Sequence, residues 1–261
     1  MNSIQAFLLG LLQGLTEFLP VSSSGHLELG NALLGVQGEE NLLFAIVVHG
    51  ATVLSTLIVF RNDIISLFKG LFAFKWNDET RYICMLLISA VPVALIGLFF
   101  EEQVESLFGG KVVFVGIMLI ITAILLFFAD YRKPGEKSIG WLDALIIGLS
   151  QAVAVLPGLS RSGTTIATGL LLGKRKEEMA RFSFLMVIIP ILGANFLELL
   201  KYDSSVANVS VGILPLLIGF FAAFISGLLA CRLMINVVKK GKLIYFSAYC
   251  LIVGIIAIFA G

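Results

Sequence analysis

Ionisable side chains are scarce in this chain. Lys, Arg, Asp and Glu make up 13% of its 261 residues, against roughly 25% in a typical soluble domain. Beside a hydrophobic content of 59% and a mean hydropathy of +1.03, that shortage excludes an ordinary soluble core, which has no use for so many apolar positions. The formal net charge of +1 excludes a nucleic-acid role, which needs a basic face. Cysteine is sparse too: Cys84, Cys231 and Cys250 fall within or at the ends of apolar segments and supply no disulfide framework. Low-complexity tracts are missing. The opening Met1-Asn-Ser-Ile-Gln has no basic stretch of the kind a cleaved signal peptide carries, so this segment is expected to belong to the fold.

What the chain does have is long apolar runs, at residues 42–60, 82–100, 112–129, 182–200, 211–231 and 243–260. As helices at about 1.5 Å per residue, each covers about 27–32 Å, matching a hydrocarbon core of about 30 Å. Basic residues gather in four connections. Arg61, Lys69, Lys75 and Arg81 form one group, and Arg132, Lys133 and Lys137 another. Lys174, Arg175, Lys176 and Arg181 form the third; Arg232, Lys239, Lys240 and Lys242 form the fourth. The remaining connections hold little basic charge: Lys111 in one, Lys201 in another, and only the acidic Glu39 and Glu40 near residue 40. The positive-inside rule puts the four rich loops in the cytoplasm. Residues 139–173 then start and finish on that side and must form a re-entrant hairpin: a helix to about Leu156, a Pro-Gly-Leu-Ser-Arg-Ser-Gly turn and a short return helix. Residues 1–36 form the matching hairpin from outside. The expected fold is an all-α polytopic membrane protein built as an inverted-topology repeat, each half one re-entrant helical hairpin plus three transmembrane helices. Residues 1–261 form one integral membrane domain, with repeat 1 at 1–130, a linker at 131–138 and repeat 2 at 139–261. Both termini are expected outside.

The repeat is visible in the residues. Gly10-Leu-Leu-Gln13-Gly-Leu-Thr-Glu17-Phe-Leu-Pro20-Val-Ser22-Ser23-Ser24-Gly25-His26 is echoed by Gly148-Leu-Ser-Gln151-Ala-Val-Ala-Val155-Leu-Pro157-Gly-Leu-Ser160-Arg161-Ser162-Gly163-Thr164. Matched Gly/Pro-broken segments in two halves of a membrane protein point to a site at the repeat interface. Non-helical backbone at membrane depth survives only if buried in protein or lining a wet cavity, so the two tips should meet near mid-membrane. The copies differ in charge: Glu17 and His26 occur only in the first, Arg161 only in the second.

Each turn is expected to end where a short helix begins, at about His26 and about Thr164. Free N–H groups and the positive end of the dipole make such a helix start an anion site. Two of them facing each other, with Arg161 between, suit a polyanion such as a diphosphate; arginine adds a planar fork for phosphoryl oxygens. Gln13 lies one turn before Glu17, on the same helical face. A carboxylate beside an amide oxygen suits a hard divalent ion held partly by substrate oxygens. His26 can handle a proton near neutral pH. Ser23 is a candidate nucleophile, activated by His26 or Glu17; attack by a metal-bound water fits the residues equally. A secondary transporter or lipid flippase is the competing class, because inverted repeats with broken helices mark transporters.

Gln13-x-x-x-Glu17 followed by Phe-Leu-Pro-Val-Ser-Ser-Ser-Gly-His26, together with Pro157-Gly-Leu-Ser-Arg161-Ser-Gly-Thr-Thr165, resembles the paired signatures of the undecaprenyl-diphosphate phosphatases, also called bacitracin-resistance proteins. The resemblance runs over nearly the whole chain, including Arg181-Phe-Ser-Phe-Leu and Pro190. It implies hydrolysis of undecaprenyl diphosphate to the monophosphate plus phosphate at the outer face of the bacterial cytoplasmic membrane, recycling a lipid carrier for cell-wall polymers. It also implies a divalent cation, Mg²⁺ or Ca²⁺. By motif position, Glu17, Ser23, His26 and Arg161 take catalytic roles; Ser22, Ser160, Ser162 and Thr165 bind substrate; Gln13 and Glu17 hold the metal. The family accepts Gln or Glu at the position of Gln13, and Ser24 stands where many relatives carry Thr. The bilayer and the lipid substrate are the expected partners, nucleic acid is not, and a homodimer is among the states left open. A phosphatidic-acid-type phosphatase would need a His six residues after its Arg, where this chain has Ala167.

Other polar residues have structural readings. Ser150 and Ser183 are expected to bond a carbonyl in the preceding turn, and Gln151 to be a packing amide between helices. His49 reads as a satisfied interior group and Glu28 as a carboxylate stabilised by a helix start. Asp143 and Glu198 read as interfacial or capping, and Pro92 and Pro190 as helix kinks.

Overall fold

The computed structural model describes residues 1–36, 40–108, 110–132, 135–201, 212–240 and 242–261. Glu39 and Lys133, named above for their loop charge, lie outside the described residues, as do the side chains of Glu40, Glu198 and Lys201. Regular structure among the described residues is helical, apart from an isolated bridge between Lys137 and Lys174. A first pair, α1 (Ser3–Phe18) and α2 (Ser23–Leu34), is followed by α3 (Glu40–Val59), α4 (Arg61–Leu71), α5 (Asp78–Phe99), the short α6 (Glu101–Glu105) and α7 (Val112–Tyr131). A second pair, α8 (Trp141–Val153) and α9 (Arg161–Leu171), leads into α10 (Lys176–Met186), α11 (Ile188–Lys201), α12 (Ile213–Lys240) and α13 (Ile244–Ala260).

Among the described residues, four stretches are long and apolar enough to cross a membrane: Asp78–Phe99, Val112–Tyr131, Lys176–Leu197 and Ile213–Lys240. Leu43–Val59 and Arg61–Leu71 reach that length and hydropathy only as a pair, bent by 73° between its two parts. The architecture is that of an all-helical polytopic membrane protein. Leu33, Phe99, Ile213 and Phe259 stand fully on its outer surface, where lipid rather than water is the solvent that suits them.

Local chemistry accounts for the helix boundaries. Asn2 caps α1, accepting from the Gln5 N–H at 2.9 Å while the Gln5 side chain accepts from the Asn2 N–H at 2.8 Å. α1 stops at Phe18 because Leu19 precedes Pro20 and is held extended (ψ 144°). α2 starts on Ser22 and closes at Gly35 (φ +64°), where the Val36 N–H reaches the Asn31 carbonyl at 3.0 Å. The two return helices thus begin at Ser23 and Arg161, three residues before the expected His26 and Thr164, and α8 ends at Val153 rather than Leu156.

Three other expectations are corrected. The span at 182–200 starts earlier and is broken at Val187 into α10 and α11. Pro190 lies four residues after Met186: it has no N–H for that carbonyl, and its ring crowds it. The apolar window at 211–231 closes at Arg232, yet α12 runs on to Lys240, since lysine and arginine are good helix formers. The basic loop at 61–81 contains α4, which buries Leu67, exposes Ile65 and Phe68 on one flank and presents Asn62, Ser66 and Lys69 on another.

Packing crosses between the two halves of the chain. α1 lies along α12, α8 lies along α5, and α7 packs against α13. The matched glycines Gly10 and Gly148 mark the two hairpin contacts. A Cβ on Gly10 would stand 2.4 Å from the Gly219 carbonyl oxygen of α12, and one on Gly148 would stand 2.5 Å from the Ser89 carbonyl oxygen of α5. Small residues let backbones in a membrane approach this closely. The largest buried cluster includes Phe18, Phe60, Leu126, Ile147, Ile166, Phe182, Phe184 and Met234. Phe184 touches both Phe18 and Phe60, with ring centroids 5.9 and 6.0 Å away, so the end of α1 is seated on the core.

Candidate active site

The turns between α1 and α2 and between α8 and α9 meet inside the protein. Gly25 at the first tip and Gly158 at the second are in backbone contact: a Cβ on Gly25 would stand 2.9 Å from the Gly158 Cα. Gly158 itself sits at φ +94°, and a Cβ there would fall 2.5 Å from the Val115 carbonyl oxygen of α7. Only glycine meets both conditions. Ser162 Oγ donates to the Leu19 carbonyl at 3.2 Å, a hydrogen bond between the tips. Thr122 of α7 holds the second turn from behind, its Oγ1 accepting from the Ser160 N–H at 3.0 Å.

The turns share a capping pattern. Ser22 Oγ accepts from the Gly25 N–H at 3.2 Å, and Ser160 Oγ accepts from the Gly163 N–H at 3.1 Å. The Ser22 and Ser24 hydroxyls lie 3.3 Å apart, and those of Ser160 and Ser162 lie 3.4 Å apart. The copies differ in backbone: Ser22 has φ +70°, where residues other than glycine are uncommon, whereas Ser160 is extended. Thr165 Oγ1 lies 2.9 Å from the Arg161 carbonyl and 2.7 Å from Ser183 Oγ. Ser183 was expected to bond the turn before it; its hydroxyl instead reaches across to α9.

Glu17 is the hub. It is the last residue but one of α1, almost fully buried, and both its carboxylate oxygens are engaged. Oε2 accepts from Gln13 Nε2 at 2.8 Å and from Ser23 Oγ at 2.6 Å. Oε1 takes an ion pair from Arg161 Nη2, the first residue of α9. A buried carboxylate needs such compensation, because an unpaired ion there is very costly. Gln13 has no exposure, and its Oε1 has no hydrogen-bond partner. The unpartnered Gln13 Oε1 and the Glu17 carboxylate are oxygen donors of the kind that suit a hard divalent cation. His49 of α3 donates Nδ1–H to the Ala45 carbonyl at 2.8 Å and stands within electrostatic range of Glu17. A cleft at the Glu17–Arg161 pair is lined by Thr52 and Thr56 of α3 and by Phe184, Ile188 and Ile191 of α10 and α11.

Both ring nitrogens of His26 are engaged away from Glu17. Its Nδ1 lies 2.8 Å from the Ser22 carbonyl and its Nε2 lies 2.8 Å from the Tyr249 hydroxyl of α13. Ser23 therefore has Glu17, and not His26, as its hydrogen-bond partner in this arrangement. Motif reasoning did not find Tyr249 or Thr122, and it read Ser183 only as bonded to its own helix. A hydroxyl within a largely apolar helix was the signal for Thr122 and Tyr249. Among the other polar residues, Ser150 donates to the Ile147 carbonyl at 2.7 Å, Asp143 accepts from the Gly140 N–H at 2.7 Å, and Glu28 accepts from the Gly110 N–H at 3.1 Å. Gln151 is buried between helices, with neither amide atom bonded.

Residues 6–256 match the family model described as bacitracin resistance protein BacA. An undecaprenyl-diphosphatase of Bacteroides fragilis is 57% identical over 260 residues, covering 99% of this chain and 98% of that protein. The undecaprenyl-diphosphatase of Bacteroides thetaiotaomicron is 56% identical over 262 residues, covering 99% and 98%. That of Methanobrevibacter smithii is 40% identical over 272 residues, covering 98% and 96%. With a match along nearly its full length, and with an acid–hydroxyl–arginine site assembled from its two repeated turns, the chain belongs to the bacitracin resistance protein BacA family.

Proposed function

We infer that this protein is a polyprenyl-diphosphate phosphatase that hydrolyses undecaprenyl diphosphate to undecaprenyl phosphate and inorganic phosphate. The activity agrees with that named for relatives above half identity over the whole chain. The observation that carries the chemistry is the convergence of Ser23 and Arg161 on one buried carboxylate.

In the mechanism we propose, the terminal phosphoryl group docks at the start of α9. Free N–H groups and the Arg161 guanidinium hold its oxygens there, with hydroxyls from Ser22, Ser160 and Ser162 alongside and Thr165 bracing the first turn of α9. Ser23 Oγ attacks the terminal phosphorus and gives its proton to Glu17, already 2.6 Å away. The bond from phosphorus to the bridging oxygen breaks, and undecaprenyl phosphate leaves and takes up the proton. Water then attacks the Ser23 phosphoryl, giving one proton to Glu17, and the Ser23 oxygen recovers a proton as phosphate departs. Most of the rate enhancement comes from fixed charges and N–H dipoles aimed at the transferring group. Gln13 and Glu17 are the residues that would hold Mg²⁺ or Ca²⁺, which supplies positive charge to the diphosphate oxygens when bound. His26 keeps the first turn in shape through Ser22.

The same reading includes the membrane frame. The crossed packing of α1 on α12 and α8 on α5, with α7 against α13, supports an inverted repeat. The loop charges support a site reached from the outer side of the bacterial cytoplasmic membrane, with both termini outside.

The test is phosphate release from a polyprenyl diphosphate by purified protein in detergent with Mg²⁺, combined with acid-quench trapping. The expected result is a phosphoserine at Ser23 that is absent from Ser23→Ala. Wild-type turnover without any phosphoenzyme, or undiminished turnover by Ser23→Ala, would remove Ser23 as nucleophile. No phosphate release by wild type would remove the activity itself.

A further inference from the structure

Tyr249 lies on α13 and contributes nothing to the cleft, yet its hydroxyl is 2.8 Å from His26 Nε2. The two rings are stacked, with centroids 5.5 Å apart and planes 11° from parallel. On the other side of the imidazole, Nδ1 faces the Ser22 carbonyl at 2.8 Å. A carbonyl oxygen only accepts, so Nδ1 carries the hydrogen. In the neutral ring Nε2 is then left to accept the Tyr249 O–H. Ser22, the residue so held, is the one non-glycine in the two tips at positive φ. It is bonded on both sides of its backbone turn, through its carbonyl by His26 and through its side chain by the Gly25 N–H at 3.2 Å. Ser23 is its immediate successor. The direction in which Ser23 Oγ leaves the chain, toward Glu17 Oε2, is set by the Ser22 conformation.

We propose that Tyr249 is a positioning residue. By donating to His26 Nε2 it fixes the imidazole in its Nδ1–H form, which locks Ser22 at positive φ and aims Ser23 at Glu17. The adjacent residue supports the assignment: Cys250 Sγ reaches the Pro20 carbonyl at 3.6 Å, so α13 touches the first turn at two successive positions. α13 thus serves as the backstop of a tip that the paired motifs alone do not complete. The proposal rests on the reading of Ser23 as the attacking group.

Tyr249→Phe keeps the ring and its stacking and removes only the hydroxyl. The expected kinetic result is a fall in kcat of about tenfold, the loss of one hydrogen bond of ordinary strength, with KM within about twofold. On a His26→Ala background the same change should have no further effect, because the hydroxyl acts only through that ring. A second readout does not depend on turnover. The chain has two histidines, so ¹⁵N-histidine labelling gives two imidazoles, distinguished by a His49→Gln variant. His26 should be the Nδ1–H tautomer in wild type and shift toward a mixture in Tyr249→Phe. An unchanged tautomer in Tyr249→Phe, a wild-type His26 protonated at Nε2 alone, or Tyr249→Phe with full kcat would each overturn the proposal. Absence of diphosphatase activity in wild type would instead strike the functional reading, and the tautomer result would stand apart from it.

Discussion

Replacing Arg161 separates its two duties. Its side chain is 24% exposed, while that of its partner Glu17 is 4% exposed, so the guanidinium both compensates a buried carboxylate and faces the cleft. Arg161→Lys keeps the positive charge, so Glu17 stays compensated and the fold should hold. A lysine cannot span two phosphoryl oxygens with a planar fork. Losing one charge-assisted bond of about 1.5–3 kcal/mol in the transition state corresponds to about 10- to 150-fold in turnover. Arg161→Ala removes the charge as well and leaves Glu17 buried and unpaired, which costs about 3–5 kcal/mol of stability. At this chain length that is a drop in Tm of about 5–15 °C. The assay is phosphate release from a polyprenyl diphosphate, with Tm in the same detergent measured alongside. Lysine should lose rate and keep Tm; alanine should lose both. Turnover of Arg161→Lys within twofold of wild type would refute the clamp, and an alanine variant as stable as wild type would refute the compensation.

Gly158→Ala should destabilise by more than the about 1–3 kcal/mol of a non-glycine residue at positive φ, because its Cβ would also stand 2.5 Å from the Val115 carbonyl; Tm equal to wild type would show that the tips are not so tightly seated. Glu17→Gln should remove both the base and the charge that a divalent ion needs, so residual turnover should no longer rise with Mg²⁺; a retained Mg²⁺ response would place the ion elsewhere. A single cysteine at Lys111 should react with an impermeant thiol reagent from outside cells and one at Lys240 should not; the reverse pattern would invert the topology.

The parts of this molecule written in local chemistry could be read from the chain. Both broken-helix turns were placed from their Ser, Gly and Pro residues, but the caps at Ser22 and Ser160 start the return helices three residues before the expected His26 and Thr164. Apolar windows marked most membrane-length helices, but hydropathy measures composition and not backbone continuity. It therefore ended α12 at its first arginine and gave one span where Pro190 divides α10 from α11. α4 was hidden in a basic loop because its apolar flank is only a few side chains wide. The meeting of His26 with Tyr249 and of Thr165 with Ser183 was out of reach. Spacing shows which residues share a face, and it does not show which face of another helix comes to lie against it.

The interlocked seating of the hairpins has a consequence for how such a chain is made. α1 rests on α12, nearly the whole length of the polypeptide away, and α8 rests on α5 from the opposite half. During synthesis the first elbow emerges long before its seat exists, so it must wait in a provisional lodging until the last long helices have been threaded. Expressed separately, each half would lack the groove its own elbow requires. Two fragments produced together would have to find one another before either could mature.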